Sequence, residues 1–251
     1  LARRDFTINA MAYSAEEGLI DPFGGQKDLA RGLVRAVGVP HQRFTEDALR
    51  ILRLYRFAAR FGFEIDPATG QAARELCAHL DCVSTERITE ELTRLLAAPK
   101  PGTWMEPAVF AVVLPELTPE KLTAAKPVVD ACPAGTEDLP VRWAALLMSL
   151  GEDGTRKALK RLRCSNTCIE QTAVLVREVH PGAFSSDTNW GIPSPALLPA
   201  AAGSHPPDGP QRNSRTGLGQ APAVPDTAIR IRKLLGRYDL HTVQRLAALG
   251  A

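Results

Sequence analysis

Apolar residues recur at helical intervals along most of the chain, with one mixed stretch at the start. In RDFTINAMAY the positions Phe6, Ala10 and Tyr13, with Ile8 and Met11 alongside, fit a 3.6-residue period and predict a short helix that Asp5 is placed to cap. GLIDPFGG reads as a short strand running into a Pro/Gly turn, and LVRAVG as another strand closed by Gly38 and Pro40. This alternation over Arg3 to Val39 predicts the edge of an α/β or α+β unit. Nearly everything after it is predicted to be helical.

Thr45 is placed to cap a helix whose first turn holds Glu46 and Asp47, carboxylates that suit the positive end of a helix dipole. The pattern then carries that helix through EDALRILRLYRFAARF to Gly62. At about 100° per residue, Arg50, Arg53, Arg56 and Arg60 fall within a sector roughly 120° wide, while Leu52, Tyr55, Ala58 and Ala59 gather on the other side. One face is expected to be basic and the other buried. PATGQAARELCAHL predicts a second helix after a turn at Asp66 and Pro67, and TERITEELTRLLAA a third, with Ile88, Leu92, Leu95 and Leu96 as its apolar stripe. Short loops between them imply a packed helical unit.

Residues 104–180 continue with the shorter helices MEPAVFAVVLPEL, VRWAALLMSL and TRKALKRLRCSNTCIEQTAVLVREV. Ser165 and Asn166 split the last into two patterns, which predicts antiparallel helices joined by a tight turn. Residues 181–225 differ in kind: nine of the 20 prolines fall there among Gly, Ser and Ala, and a disordered linker or insertion is expected. From Asp226 helical spacing returns through Ile229, Leu234, Leu235, Val243, Leu246 and Leu249, as in a short helical tail.

Composition then narrows the class. With 45% hydrophobic and 23% charged residues over 251 positions, the chain can bury real cores and is not a wholly disordered protein. No run approaches the ~20 apolar residues that cross a bilayer, and LARRDFTINAMAY lacks a signal-peptide layout, so a cytoplasmic protein with no membrane partner is expected. The scattered Cys77, Cys82, Cys132, Cys164 and Cys168 support neither a disulfide framework nor a zinc site. The net charge of +2 conceals a bias, because 23 of the 30 basic residues are arginine, whose fork fits phosphate oxygens. Between residues 155 and 180, Arg156, Lys157, Lys160, Arg161, Arg163 and Arg177 stand against only Glu170 and Glu178. Such a surface suits a polyanion, although a solvated helix face is the commoner origin of a charge run.

Three constellations carry candidate chemistry. Asp47 and Arg50, three apart on the predicted helix, would offer an acceptor beside a two-donor fork, complementary to the Watson–Crick edge of a nucleobase. Arg53 and Arg56 would follow one and two turns on, where a triphosphate could sit. Spacing alone favours the simpler alternative, an i,i+3 ion pair in a first turn. Arg4, Asp5, Thr7 and Asn9 crowd four polar groups into six residues, enough to contact ribose and phosphate, with Asp5 as a plain N-cap the equal alternative. Asp21 to Gly25, DPFGG, brings two glycines that let backbone approach a ligand, but a turn after a strand needs them more commonly.

LARRDFTINAMAY, LIDPFGGQKDL and RFTEDALRILRLYRFAARFGFEID, in this order and at these separations, closely resemble the bacterial CCA-adding tRNA nucleotidyltransferases and their poly(A) polymerase relatives. These form the class II branch of the polymerase-β-like nucleotidyltransferases. The resemblance is strong over about residues 1–66 and looser over 67–180. It implies a mainly α protein, with the C-terminal remnant of an α/β head at 1–40, a neck that reads base and triphosphate at 41–100, and an RNA-binding helical body at 101–180. The linker at 181–225 and the tail at 226–251 follow.

By the same resemblance, Arg4 contacts the nucleotide, with Asp5 and Asn9 near its ribose and phosphates. Asp47 and Arg50 would pair with the base of CTP or ATP as an amino-acid template, and Arg53 and Arg56 would hold the triphosphate. Lys157, Lys160, Arg161 and Arg163 would grip the acceptor and TΨC side of tRNA through its phosphates. The implied activity is addition of C, C and A to tRNA 3′ ends. A poly(A) polymerase, or a helical RNA-binding module without catalysis, are the alternatives.

The family's chemistry also needs a glycine-rich turn and a D-x-D carboxylate pair that binds Mg2+, both upstream of the RRDFTINAMA motif. No D-x-D occurs in residues 1–251, and the nearest substitute, Glu64 and Asp66, sits in a turn expected to be structural. The chain therefore reads as a fragment that holds the selecting half of a site. It is expected to be inactive alone and to need a missing or separately encoded N-terminal head. Met148 and Ser149 stand where relatives often carry a His-Asp phosphohydrolase pair, and His41, His79, His180, His205 and His241 are too scattered for a metal site.

Overall fold

The apolar spacing of RDFTINAMAY predicts a helix, but the chain makes a single 3-10 turn at Thr7–Asn9 and enters strand β1 (Ala12–Ser14). The backbone on either side of Phe6 is already committed: Thr7 N–H donates to Arg35 O (2.9 Å) and Val37 N–H to Asp5 O (3.1 Å). The coordinates are a computed structural model that describes residues 1–179 apart from Pro133 and Glu137, so the expected linker and tail lie outside the described residues.

Strand β1 pairs antiparallel with β2 (Gly18–Ile20), as the sequence predicts for the second of these, with Tyr13 opposite Leu19. Helix α1 (Gly25–Arg31) has little periodicity to announce it and is started by Asp21, whose two carboxylate oxygens accept from Gly25 N (2.7 Å) and Gln26 N (2.9 Å). The bond from Gln26 N–H, with its neighbours, holds the Asp21 carboxyl below the usual range. A Cβ on Gly25 would stand 2.2 Å from the carbonyl oxygen of Thr7, so only glycine lets α1 seat against the 3-10 turn.

Strand β3 (Leu33–Val34) pairs in parallel with β4 (Glu64–Ile65), and the crossover between them consists of α2 (Pro40–Glu46) and α3 (Leu49–Phe61). The expected single helix from Thr45 to Gly62 is thus two. Asp47 interrupts it with extended dihedrals (φ −153°, ψ 101°), and Thr45 lies inside α2, its hydroxyl donating to His41 O (2.8 Å) rather than capping. Gly62, left-handed at φ 66°, closes α3 with an N–H to Ala58 O. Leu52, Tyr55, Ala58 and Ala59 are buried as the wheel predicts, and Ile51 and Leu54 join them. Phe6 packs edge-on against Phe57 of α3 at 5.6 Å, so the segments either side of residue 40 share one core.

Asp66 caps α4 (Pro67–Glu75), accepting from Thr69 N (2.9 Å) and Thr69 Oγ1 (2.8 Å). Helix α5 (Thr85–Leu96) buries its predicted stripe against α3. Beyond it come α6 (Pro107–Val113), α7 (Pro119–Ala131), α8 (Leu139–Leu147), α9 (Gly151–Arg161) and α10 (Asn166–Val179). Helix α7 escapes the periodicity because only Leu122, Ala125 and Val129 of its 13 residues are buried and Pro127 lies within it. Helices α9 and α10 form the predicted antiparallel pair, turned at Arg163 (φ 56°) and capped by Ser165 Oγ on Cys168 N (3.3 Å).

Helix α8 is buried along most of its length and carries a fully buried Arg142. Its guanidinium donates to the carbonyls of Leu96, Ala98 and Cys132, which occupies acceptors at the C-terminal ends of α5 and α7 and ties both helices to α8.

Candidate functional site

The interruption at Asp47 turns a helix face into a junction. Asp47 Oδ1 accepts from Leu49 N (3.2 Å), which starts α3, and Oδ2 accepts from Arg87 Nη2 of α5 (2.9 Å). Asp47 and Arg50 therefore do not project side by side from one helix, and neither do they pair with each other. This corrects both the shared-face geometry and the i,i+3 ion pair that spacing alone favours. The reason is the extended backbone at Asp47, which makes its side chain a cap for the next helix.

Arg50 is 13% exposed and heavily engaged: Nη1 donates to Glu46 Oε2 (2.8 Å) and Arg43 O (3.0 Å), Nη2 to Arg3 O (3.2 Å), and Nε lies 3.5 Å from Asp5 Oδ1. Asp5 is held by its backbone pairing to Val37 and directs its other oxygen to Arg53 Nε at 2.5 Å. Asp5 is thus no helix cap; it clamps two turns of α3 to the N-terminal segment. Arg53 also reaches Glu91 Oε1 (3.6 Å) and keeps 30% of its side chain exposed.

Arg56 requires a correction. It is 5% exposed, its Nε donates to the buried Glu91 (2.5 Å), and its guanidinium lies 4.2 Å over the Phe57 ring. Burial lowers its pKa, and the Glu91 carboxylate opposes that shift and keeps the charge in place. A group sealed in this way is a support for Arg53 through Glu91, and is not open to a triphosphate. Asn9 accepts Phe6 N–H (3.2 Å) and fixes the 3-10 turn, whereas Arg4 is exposed with no side-chain partner among the described residues.

Two members of the cluster escape a sequence reading. Arg87 has no local signal, since its partner is 40 residues away. Glu91 does have one: it lies on the apolar stripe of α5, three residues after Ile88 and four before Leu95, where a carboxylate is costly unless paired.

On α9 and in the turn that follows it, the four candidate polyanion contacts divide. Lys157 and Lys160 are exposed and make no hydrogen bond or close ion pair among the described residues, Lys160 acting on Glu170 only at longer range, while Arg161 forks onto Glu116 (2.6 and 2.8 Å) and Arg163 pairs with Glu86. No group of three His, Cys, Asp or Glu among the described residues is arranged to hold a metal ion, and both Asp5 oxygens are turned to arginines. These side chains do not fit a divalent cation. No helix among the described residues is long and apolar enough to cross a membrane.

Two family profiles match: the poly(A) polymerase head domain over residues 1–35, and a region described as the probable RNA- and SrmB-binding site of polymerase A over 62–121. Among curated relatives, a CCA-adding enzyme of Bacillus velezensis is 41% identical over 198 residues, covering 76% of this chain and 49% of that protein. One from Geobacillus is 50% identical over 99 residues, covering 39% of this chain and 24% of the relative. Among solved structures, the Bacillus stearothermophilus CCA-adding enzyme in complex with CTP matches with a TM-score of 0.60 at 29% identity, over 75% of this chain and 49% of that one. The Thermotoga maritima CCA-adding enzyme complexed with tRNA-CCA shares the fold, with a TM-score of 0.58 at 24% identity, over 73% and 48% of the two chains. The chain spans half or less of the length of each of these relatives.

Proposed function

Because this chain belongs to the family of bacterial class II CCA-adding enzymes and poly(A) polymerases, we propose that it carries the nucleotide-selecting and RNA-gripping part of an enzyme that adds C, C and A to tRNA 3′ ends from CTP and ATP. The observation that carries this reading is the junction at the start of α3, where Arg50 meets the N-terminal segment and Asp47 meets Arg87 of α5, each with hydrogen-bonding capacity left over.

Arg50 has five N–H donors, and its four named contacts leave one Nη2 donor free. Each Asp47 oxygen accepts one bond and keeps a second lone pair. Cytosine and adenine both present an exocyclic amine beside a ring-nitrogen acceptor, so Asp47 takes the amine and Arg50 donates to the ring nitrogen. Uracil and guanine present a carbonyl and an N–H there, which sets acceptor against acceptor and donor against donor. One such bidentate contact discriminates by about 1–3 kcal/mol.

In this reading the partly exposed Arg53 and the free Arg4 meet the triphosphate, Asn9 supports the ribose end through the turn it fixes, and Arg56 acts only through Glu91. Lys157 and Lys160 form the polyanion contact on α9, and Arg161 and Arg163 join only by leaving Glu116 and Glu86. The family resemblance implies Mg2+, which would supply charge neutralisation at the triphosphate, but the described residues here do not fit that ion. The protein acts in the cytoplasm, on the acceptor and TΨC side of tRNA.

The test is binding of all four nucleoside triphosphates, retention of tRNA lacking CCA, and incorporation of labelled CTP and ATP with Mg2+. Preference for CTP and ATP over UTP and GTP supports the reading, and equal affinity for all four refutes it. ATP-only preference would indicate a poly(A) polymerase, and tRNA retention without nucleotide binding a non-catalytic RNA module.

A further inference from the structure

A second cleft, of about 260 Å³, opens on the side of α3 away from Asp5, against the start of α4 and the segment 103–107. Tyr55 lies in its wall, roughly 160° around the α3 axis from Arg53. The wall also brings together the half-buried Trp104, the Glu106 carboxylate and two cations, Arg74 and Lys126.

Tyr55 is 4% exposed, and its hydroxyl is buried with no hydrogen-bond partner. Burial raises the phenol's pKa strongly, Glu106 adds to the rise and Arg74 opposes it, so the hydroxyl is neutral and two of its electrostatic neighbours, Glu106 and Arg74, line the cleft. Phenylalanine would fill the same space without stranding a polar atom in a dry site. Arg74 and Glu106 approach only to 3.9 Å, with half of the Arg74 side chain exposed, and Lys126 has no ion-pair partner among the described residues. The cleft therefore combines an aromatic wall, an unused hydroxyl, a carboxylate acceptor and loosely held cations. Its volume lies just below the ~300–1,000 Å³ of drug-sized sites, which suits a single nucleotide unit.

We propose that this cleft binds one unpaired nucleotide, its base against Trp104 with an amine reaching Glu106 and Tyr55, and its phosphate at Arg74 and Lys126. Two sources share that chemistry: an unstacked residue of bound RNA and a free nucleoside monophosphate. Most of the wall falls within residues 62–121, the stretch that matches the RNA-binding profile. The RNA source rests on the function proposed above, while the mononucleotide source does not.

The test uses the full chain labelled with 5-fluorotryptophan, with the Trp104 resonance assigned by W104F and followed by fluorine NMR. AMP, CMP, inorganic phosphate and a single-stranded RNA hexamer are titrated into the wild type, Y55F and K126A. A saturable Trp104 response to AMP or CMP assigns the free nucleotide, and a response to the hexamer alone assigns the RNA residue. Y55F should weaken the responding ligand about three- to tenfold without lowering the thermal midpoint, since the ring is kept and an unpaired hydroxyl removed. K126A should weaken it by a similar factor. K27A, an exposed cation of α1 outside both sites, should leave the Trp104 response unchanged.

The inference is overturned if Trp104 responds to none of these ligands, if phosphate alone moves it as much as AMP, or if Y55F and K126A bind like the wild type. Retention of tRNA with a silent Trp104 would overturn this inference and leave the proposed function standing. A Trp104 response to AMP in a chain that retains no tRNA would do the reverse.

Discussion

Replacing Glu91 by glutamine removes one charge from the deeply buried ion pair that joins α3 to α5. Glu91 and Arg56 have side chains only 3% and 7% exposed, so water cannot compensate what is left. Two unit charges about 4 Å apart at an effective dielectric near 20 attract by about 4 kcal/mol. Removing one partner of a buried pair is measured at about 3–5 kcal/mol, because the remaining charge stays buried and unpaired. E91Q is therefore expected to lose about 3–4 kcal/mol of unfolding free energy, the glutamine oxygen retaining part of the hydrogen bond to Arg56. The double variant R56M/E91L, which removes both charges and keeps the volume, should recover most of that loss. Urea unfolding followed by circular dichroism at constant m value reads both changes. If E91Q lies within about 0.5 kcal/mol of the wild type, the range of ordinary surface substitutions, Arg56 is solvated and free to meet a triphosphate. That result would refute a structural role for Arg56.

R50K should lose the preference of the chain for CTP over UTP by about tenfold or more in equilibrium dialysis, since a lysine ammonium cannot span Glu46, Arg3 O and a base together; unchanged selectivity would remove Arg50 from the reader. Glu116 has its pKa lowered: burial alone would raise it, but the hydrogen bonds from Arg161 and from its own backbone N–H outweigh that effect. Because its folded pKa lies below the unfolded one, its stabilisation is present above the unfolded value of 4.5 and is lost as pH falls through the folded value. E116Q should accordingly cost up to about 1 kcal/mol at pH 7, the Arg161 side being partly solvent-screened, and progressively less as pH falls below the unfolded value and through the lower folded one; a gap that persists undiminished in acid would exclude the charge as its cause. G25A should lower the thermal midpoint by an amount equivalent to about 1–3 kcal/mol, as its Cβ meets the Thr7 carbonyl at 2.2 Å. An unchanged midpoint would mean that α1 seats elsewhere.

The chain by itself determined those features whose cause is local. The stripe Ile88, Leu92, Leu95 and Leu96 buries as its spacing requires, the α9–α10 pair turns where Ser165 and Asn166 interrupt the pattern, and Asp66 caps the helix that follows it. The same holds for membership of the family, because RRDFTINAMA, DPFGG and EDALR lie in the sequence itself. Tertiary structure decided the partners. Asp5 finds Arg53 48 residues away, Glu91 finds Arg56 across 35, and Arg87 finds Asp47 across 40. Helical periodicity places all the arginines of α3 on one basic face, yet it carries no information about a carboxylate arriving from α5, and that carboxylate draws Arg56 into the core. It likewise assigns Asp47 to a continuous helix, whereas the extended backbone there frees its oxygens to cap α3 and to hold Arg87. Spacing constrains what neighbours along the chain share; which charges meet across it is set by desolvation, which favours a buried arginine only where a carboxylate is brought to it.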